Sequence, residues 1–143
     1  MKHALALLAL LAGCATAPQP ALEPAGAPAP TPAARGESIA VASLLDSARS
    51  DTEAGQLASA AASLERAIRI EPRNPRVWHE LARVRLKQGD YAQAESVAAR
   101  SNSWAAGDNA LRAENWRLIA RSREARGDAA GAREALDAAE RQR

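Results

Sequence analysis

The sequence predicts an all-α solenoid of about three helical hairpins, preceded by a disordered Ala/Pro-rich tether. Three observations predict it. Trp78, Leu81, Ala82 and Leu86 fall at helical spacing, Gly89-Asp90 interrupts them, and Tyr91, Ala94, Val97 and Ala98 resume the period, which describes two short helices back to back. The same series recurs on both sides. Upstream it reads Leu44, Ala48, Gly55, Ala60, Leu64, Ala67 and Pro72, displaced by 34 residues; downstream, after a four-residue insertion, it reads Trp116, Ile119, Ala120, Gly127, Asp128, Ala132, Leu136 and Ala139. Finally, each helix spans about a dozen residues with a narrow apolar stripe, too little to hold in water alone, so the unit requires stacked neighbours.

The first element is a leader. Residues 1–13 place Lys2 before an apolar run from Ala4 to Ala12. That run is too short for a bilayer, which takes roughly 20 residues, and suits a secretory signal peptide. The junction Leu11-Ala12-Gly13-Cys14 resembles the lipobox of bacterial lipoproteins, in which the cysteine thiol takes a diacylglycerol and follows the cleavage point. A lone cysteine is ordinarily an inert core residue. Cys14 instead stands directly after an apolar signal, and with one cysteine in the chain no intramolecular disulfide forms. Several acyl chains on one residue, each buried methylene contributing about 0.8 kcal/mol, give stable anchoring. Ala15 follows the cysteine where the resembling sorting rule reads Asp for inner-membrane retention, which implies an outer-membrane address facing the periplasm.

Residues 14–36 hold six of the eight prolines amid alanines. Such a segment lacks apolar bulk to pack and favours extended conformations. It reads as a tether, and at about 3.1 Å per residue it spans roughly 70 Å when extended.

The repeat domain takes residues 37–143, with Ser38 as N-cap of its first helix. Its repeats are read as about 41–74, 75–108 and 113–143. Small residues at Ala60, Ala94 and Ala132 let the paired helices approach to roughly 8–10 Å. Trp78 and Trp116 are expected as core anchors in a chain with no Phe and 3% aromatic residues. Pro72 and Pro75 bracket the turn between the first two repeats, and Asp90 and Asp128 are read as caps of second helices. Residues 102–111 form the insertion, expected as a surface loop in which Trp104 either folds over the repeat junction or stands as a contact anchor for a partner.

The period, the run Lys87-Gln88-Gly89-Asp90-Tyr91 and the closing Glu71-Pro72 resemble the tetratricopeptide repeat (TPR) family over residues 41–143. Asp51, Arg85 and Arg123 depart from it, standing where the family usually has Tyr, and the first repeat lacks the Trp. The expectation is thinner packing there, with a first helix that frays. The resemblance implies that the inner faces of the first helices form a concave groove for a peptide. Transferred by offset, that groove shows Leu45, Asp46 and Arg49, then Arg76, His79, Glu80, Arg83 and Lys87, then Arg117, Leu118 and Arg121. Arg49, Arg83 and Arg121 share one position, a ladder of guanidinium groups suited to carboxylates. Interleaved acids make simple solubility the competing reading of any one of them.

Composition excludes several classes. The net charge of +2 is far below that of a nucleic-acid binder. His79 is the one histidine outside the leader, with no thiol, serine elbow or second histidine nearby in sequence, so neither catalysis, a metal nor a cofactor is expected. The last helix ends without a capping helix, leaving an alanine flank around Ala135 and Ala138 to self-associate or dock a partner.

Trp78-His79, Arg100-Ser101-Asn102 and residues 115–120 further resemble the small TPR outer-membrane lipoproteins that activate bifunctional class A penicillin-binding proteins. That resemblance implies a protein partner, a class A synthase of peptidoglycan. Two other readings stand beside it: an assembly or pilotin lipoprotein for a secretin or outer-membrane complex, and a periplasmic scaffold without regulatory effect.

Overall fold

The structure, a computed structural model, describes residues 38–143. The leader, Cys14 and the tether lie outside the described residues. Six helices make up the described region: α1 (Ile39–Glu53), α2 (Leu57–Ile70), α3 (Pro75–Gln88), α4 (Tyr91–Trp104), α5 (Asn109–Ala125) and α6 (Ala129–Glu140). They pair as the hairpins α1/α2, α3/α4 and α5/α6, and each second helix packs in turn on the first helix of the following repeat.

The hairpin turns are set by backbone chemistry. Gly55, Gly89 and Gly127 carry φ of 74°, 82° and 82°, a left-handed conformation that strains any residue with a Cβ. At Gly89 this lets Asp90 N–H reach the Arg85 carbonyl at 2.9 Å and Gly89 N–H the Leu86 carbonyl at 3.2 Å, closing the end of α3 as a Schellman motif. The other two glycines repeat the pattern.

The core is thin and lies between helices. Val41, Leu45, Ala48, Ala60, Leu64, Ala67, Val77, Leu81 and Val84 form a first cluster across α1, α2 and α3. Ala82, Ala98, Leu118, Ile119, Ala120 and Ala135 form a second, with Trp116 partly buried against it. The first repeat is therefore packed and not thin, because Val41 and Leu45 are fully covered there. Leu45 lies in this core and not in the groove. The start of α1 is held as well: Ser38 accepts from Val41 N–H, and Glu71 accepts from Ser38 N–H at 2.8 Å. Trp78 is not a core anchor. It is half-buried, and its indole N–H donates to the Pro72 carbonyl at 2.8 Å, while its neighbour Val77 is the residue that enters the core.

The arginines at the position of the usual Tyr have a packing role. Arg85 of α3 reaches back to Glu65 of α2 at 2.8 Å, and Arg123 of α5 reaches back to Glu95 of α4 at 2.8 Å while also donating to the Gly131 carbonyl. An ion-paired clasp thus joins successive repeats where an aromatic ring would otherwise pack. Asp51, on the first described helix, accepts instead from Ser59 Oγ at 2.6 Å. Of the two expected caps, Asp128 accepts from Gly131 N–H at 2.8 Å, whereas Asp90 makes no side-chain cap bond.

Residues 102–104 and 109–111 of the insertion are helical, and only 105–108 form a turn. Helix α4 continues through Trp104, and α5 runs 17 residues against 14 for α3. Counting back from the turn glycines, the four added residues fall at the start of α5. Four residues make about one helical turn, so the apolar stripe keeps its direction.

Candidate partner-binding groove

Side chains of the first helices line two adjoining depressions on one face. The first, of about 330 Å³, is walled by Arg49, Arg76, His79, Glu80, Arg83, Asp108, Ala110, Leu111 and Glu114. The second, of about 290 Å³, is walled by His79, Arg83, Glu114, Arg117, Leu118 and Arg121. His79, Arg83 and Glu114 are common to both, so the depressions form one channel across the three repeats. The structure thus gathers Arg49, Arg76, His79, Arg83, Arg117 and Arg121 in it. Lys87 is exposed and lines neither depression, and Trp104 lies elsewhere.

The acidic wall was harder to read from sequence. Asp108, Ala110 and Leu111 come from the extra turn at the start of α5 and its cap, and Glu114 follows in the regular part of the helix, at the place of Arg76 in α3. The four-residue length of the insertion was the available signal, since it matches a helical turn. Charge in the groove is partly spent internally: Arg83 pairs with Glu80 at 3.0 Å and Arg49 with Asp46 at 3.3 Å. Arg76, Arg117 and Arg121 have no ion pair among the described residues. The groove therefore offers free guanidinium donors at its middle and far end, and those are the groups a carboxylate-bearing segment would engage.

Beneath the groove floor lies a buried hydrogen-bonded network. Asn115, 0% exposed, donates through Nδ2 to Ser101 Oγ at 2.7 Å and to Asn102 Oδ1 at 3.0 Å, and its Oδ1 lies 2.8 Å from His79 Nδ1. Ser101 Oγ in turn donates to the Pro75 carbonyl at 2.8 Å. That donation obliges Ser101 to accept from Asn115, which fixes the amide and puts a proton on His79 Nδ1. The other ring nitrogen, Nε2, looks into the groove 3.6 Å from Glu114 Oε2. The network links α3, α4 and α5 and sets how the second repeat meets the third.

Trp104 ends α4 and is 37% exposed, with the Arg73 guanidinium 5.3 Å from its ring centroid. Arg100 lies likewise 5.8 Å from the Trp78 ring. Both stacks are on the side where Pro72 meets Trp78, so Trp104 leans on the turn between repeats while keeping an open edge.

The tetratricopeptide repeat family profile matches residues 51–114. Among solved structures, the globular C-terminal domain of P. aeruginosa LpoP is 52% identical, with a TM-score of 0.71, over 72% of this chain and 97% of that one. The chain belongs to the tetratricopeptide repeat family. No curated protein matches it. The TPR domain it shares with LpoP is a module for contacts with other proteins. In this TPR chain, the stretches Trp78-His79, Arg100-Ser101-Asn102 and Asn115-Trp116 converge in space: they supply the buried network and the Trp78/Arg100 stack.

Proposed function

We propose that this protein is an outer-membrane lipoprotein, anchored through Cys14 and facing the periplasm, whose TPR groove binds and activates a bifunctional class A penicillin-binding protein. Residues 14–36 form the tether that carries the domain of residues 37–143 toward an inner-membrane synthase. The domain works by binding alone, with no catalytic residue, metal or cofactor of its own. One observation carries the reading: the short stretches that resemble the activator lipoproteins are those that the fold assembles into one network under the groove, in a domain 52% identical to that of LpoP.

Activation of this kind is allosteric and requires that the domain bind the synthase's active state more tightly than its resting state. Arg76, Arg83, Arg117 and Arg121 engage carboxylates of the partner, Arg49 and His79 extend that contact toward the first repeat, and Trp104 adds a second contact outside the groove. Lys87 contributes charge at the margin. The test is a glycan-polymerisation assay with the purified synthase and full-length protein in detergent. Arg83→Glu/Arg121→Glu is expected to lose stimulation and synthase binding together. Unchanged stimulation by that folded variant would remove the groove from the mechanism. Recovery of secretin or barrel-assembly components in place of a synthase would favour an assembly role, and binding without a change in rate would leave a scaffold.

A further inference from the structure

The alanine flank of α6, expected to be open for a partner, is closed, with Ala135 1% and Ala138 8% exposed. The groove carries more information. Three carboxylates line its two depressions, and two of them are already satisfied. Glu80 accepts from Arg83 at both oxygens, at 3.2 and 3.0 Å, and Asp108 Oδ1 accepts from Leu111 N–H at 3.0 Å as the cap of α5. Glu114, with a side chain 57% exposed, accepts no hydrogen bond among the described residues. Within ion-pairing range it has His79 Nε2 at 3.6 Å, beyond hydrogen-bond length.

That nitrogen does not supply the missing donor. The buried network places the ring proton on Nδ1, toward Asn115 Oδ1 at 2.8 Å, so in the neutral ring Nε2 holds a lone pair. His79 is 8% exposed and lines both depressions. Two acceptors therefore face each other at the middle of the groove with no proton between them. The far end has the opposite character. Arg117 and Arg121 follow Glu114 on one face of α5 without an ion pair among the described residues, and Leu118, 6% exposed, floors the space beside them. From Glu114 to Arg121 is seven residues of helix, about 10 Å, the length of about three residues of extended chain.

We propose that the groove reads an extended segment of a partner protein bearing a lysine and, about three residues from it, a carboxylate. The lysine ammonium donates to Glu114 and His79 Nε2, and the carboxylate takes Arg117 and Arg121. An ammonium suits the first place because it is a compact charge whose three protons serve acceptors on two different helices, whereas a guanidinium fork matches the paired oxygens of one carboxylate. His79 thus enters the partner contact as an acceptor. This rests on the groove being the binding surface, and not on a synthase being the protein that fills it.

The test is selection of displayed random peptides on the full chain. Groove-bound peptides are those that Arg83→Glu/Arg121→Glu releases. They are expected to share a lysine with Asp or Glu about three residues away. Glu114→Gln is expected to weaken them about tenfold or more, the effect of one charge-assisted hydrogen bond. Norleucine in place of that lysine is expected to cost the same, and the two changes together no more than either alone. Glu114→Lys paired with a glutamate in place of the lysine is expected to restore binding; Glu114 is exposed, so both variants keep the fold. Groove-bound peptides without a lysine, held equally or better by Glu114→Gln, would overturn the proposal and leave the groove a reader of carboxylates alone. So would ring ¹⁵N spectra of the free protein showing a proton on both His79 nitrogens at neutral pH, since the pair with Glu114 would then be complete in itself. A selection in which the arginine substitutions release no peptide would overturn the groove as binding surface, and this proposal with it.

Discussion

Asn115→Ala tests the network that joins the second and third repeats. Asn115 is fully buried and makes three hydrogen bonds, to His79, Ser101 and Asn102. Each such bond contributes about 0.5–1.5 kcal/mol net, and a buried partner left without one costs about 1–3 kcal/mol. The truncation strands His79 Nδ1 and Asn102 Oδ1 but leaves Ser101 its bond to Pro75, so a loss of about 3 kcal/mol is expected. For a domain of about 100 residues that lowers Tm by roughly 15 °C. Ser122→Ala is the control. Ser122 is equally buried, yet its hydroxyl bonds only the Leu118 carbonyl one turn back in its own helix, so its loss is expected to stay below about 1 kcal/mol. Urea or thermal unfolding by circular dichroism reads both. If Asn115→Ala shifted stability no more than Ser122→Ala, the network would not hold the junction. A double-mutant cycle of Asn115→Ala with Ser101→Ala is expected to be non-additive, since the two share a bond.

Other perturbations follow from single contacts. Arg123→Ala removes the clasp to Glu95 and a bond to the Gly131 carbonyl, both partly buried, and is expected to cost about 1–2 kcal/mol in denaturant unfolding. Gly131→Ala sets a new Cβ against the Asp128 carboxylate and displaces that cap from Gly131 N–H, so it is expected to destabilise by about 1 kcal/mol despite the better helix propensity of alanine. Burial raises the Glu71 carboxyl pKa, but the bonds from Ser38 and Asn74 outweigh it and hold the group below its usual range. A lowered folded pKa gives stability that is present above the ordinary carboxylate value and lost as pH falls through the lowered one. Glu71→Gln is therefore expected to flatten the acid limb of the stability profile, measured by Tm against pH. Cys14→Ala is expected to abolish incorporation of labelled palmitate and to release the protein from the membrane fraction.

The period of the apolar residues, together with glycines at turns that only a left-handed residue can make, was enough to write the hairpins and the inner-face arginines from sequence alone. These are local properties. Helical spacing assigns a face, and a glycine in a turn announces itself. Depth was less legible. Trp78 and Val77 are neighbours, and size suggested the tryptophan as anchor, whereas the helix rotation set by α1 and α2 sends valine inward and leaves the indole to bond Pro72. The insertion likewise read as a loop because Gly107-Asp108-Asn109 breaks a helix, yet only stacking on α4 and α3 shows that the residues after it add a turn and bring Ala110 and Leu111 to the groove.

Sequence by itself determined the solenoid and the inner-face position of the arginine ladder, since each follows from spacing. Tertiary structure alone decided that Arg85 and Arg123 clasp the preceding repeat, and that His79, Ser101, Asn102 and Asn115 share one network. Those outcomes depend on which residues from different repeats come within hydrogen-bonding or van der Waals distance, and that is set by helix rotation and stacking, not by order along the chain.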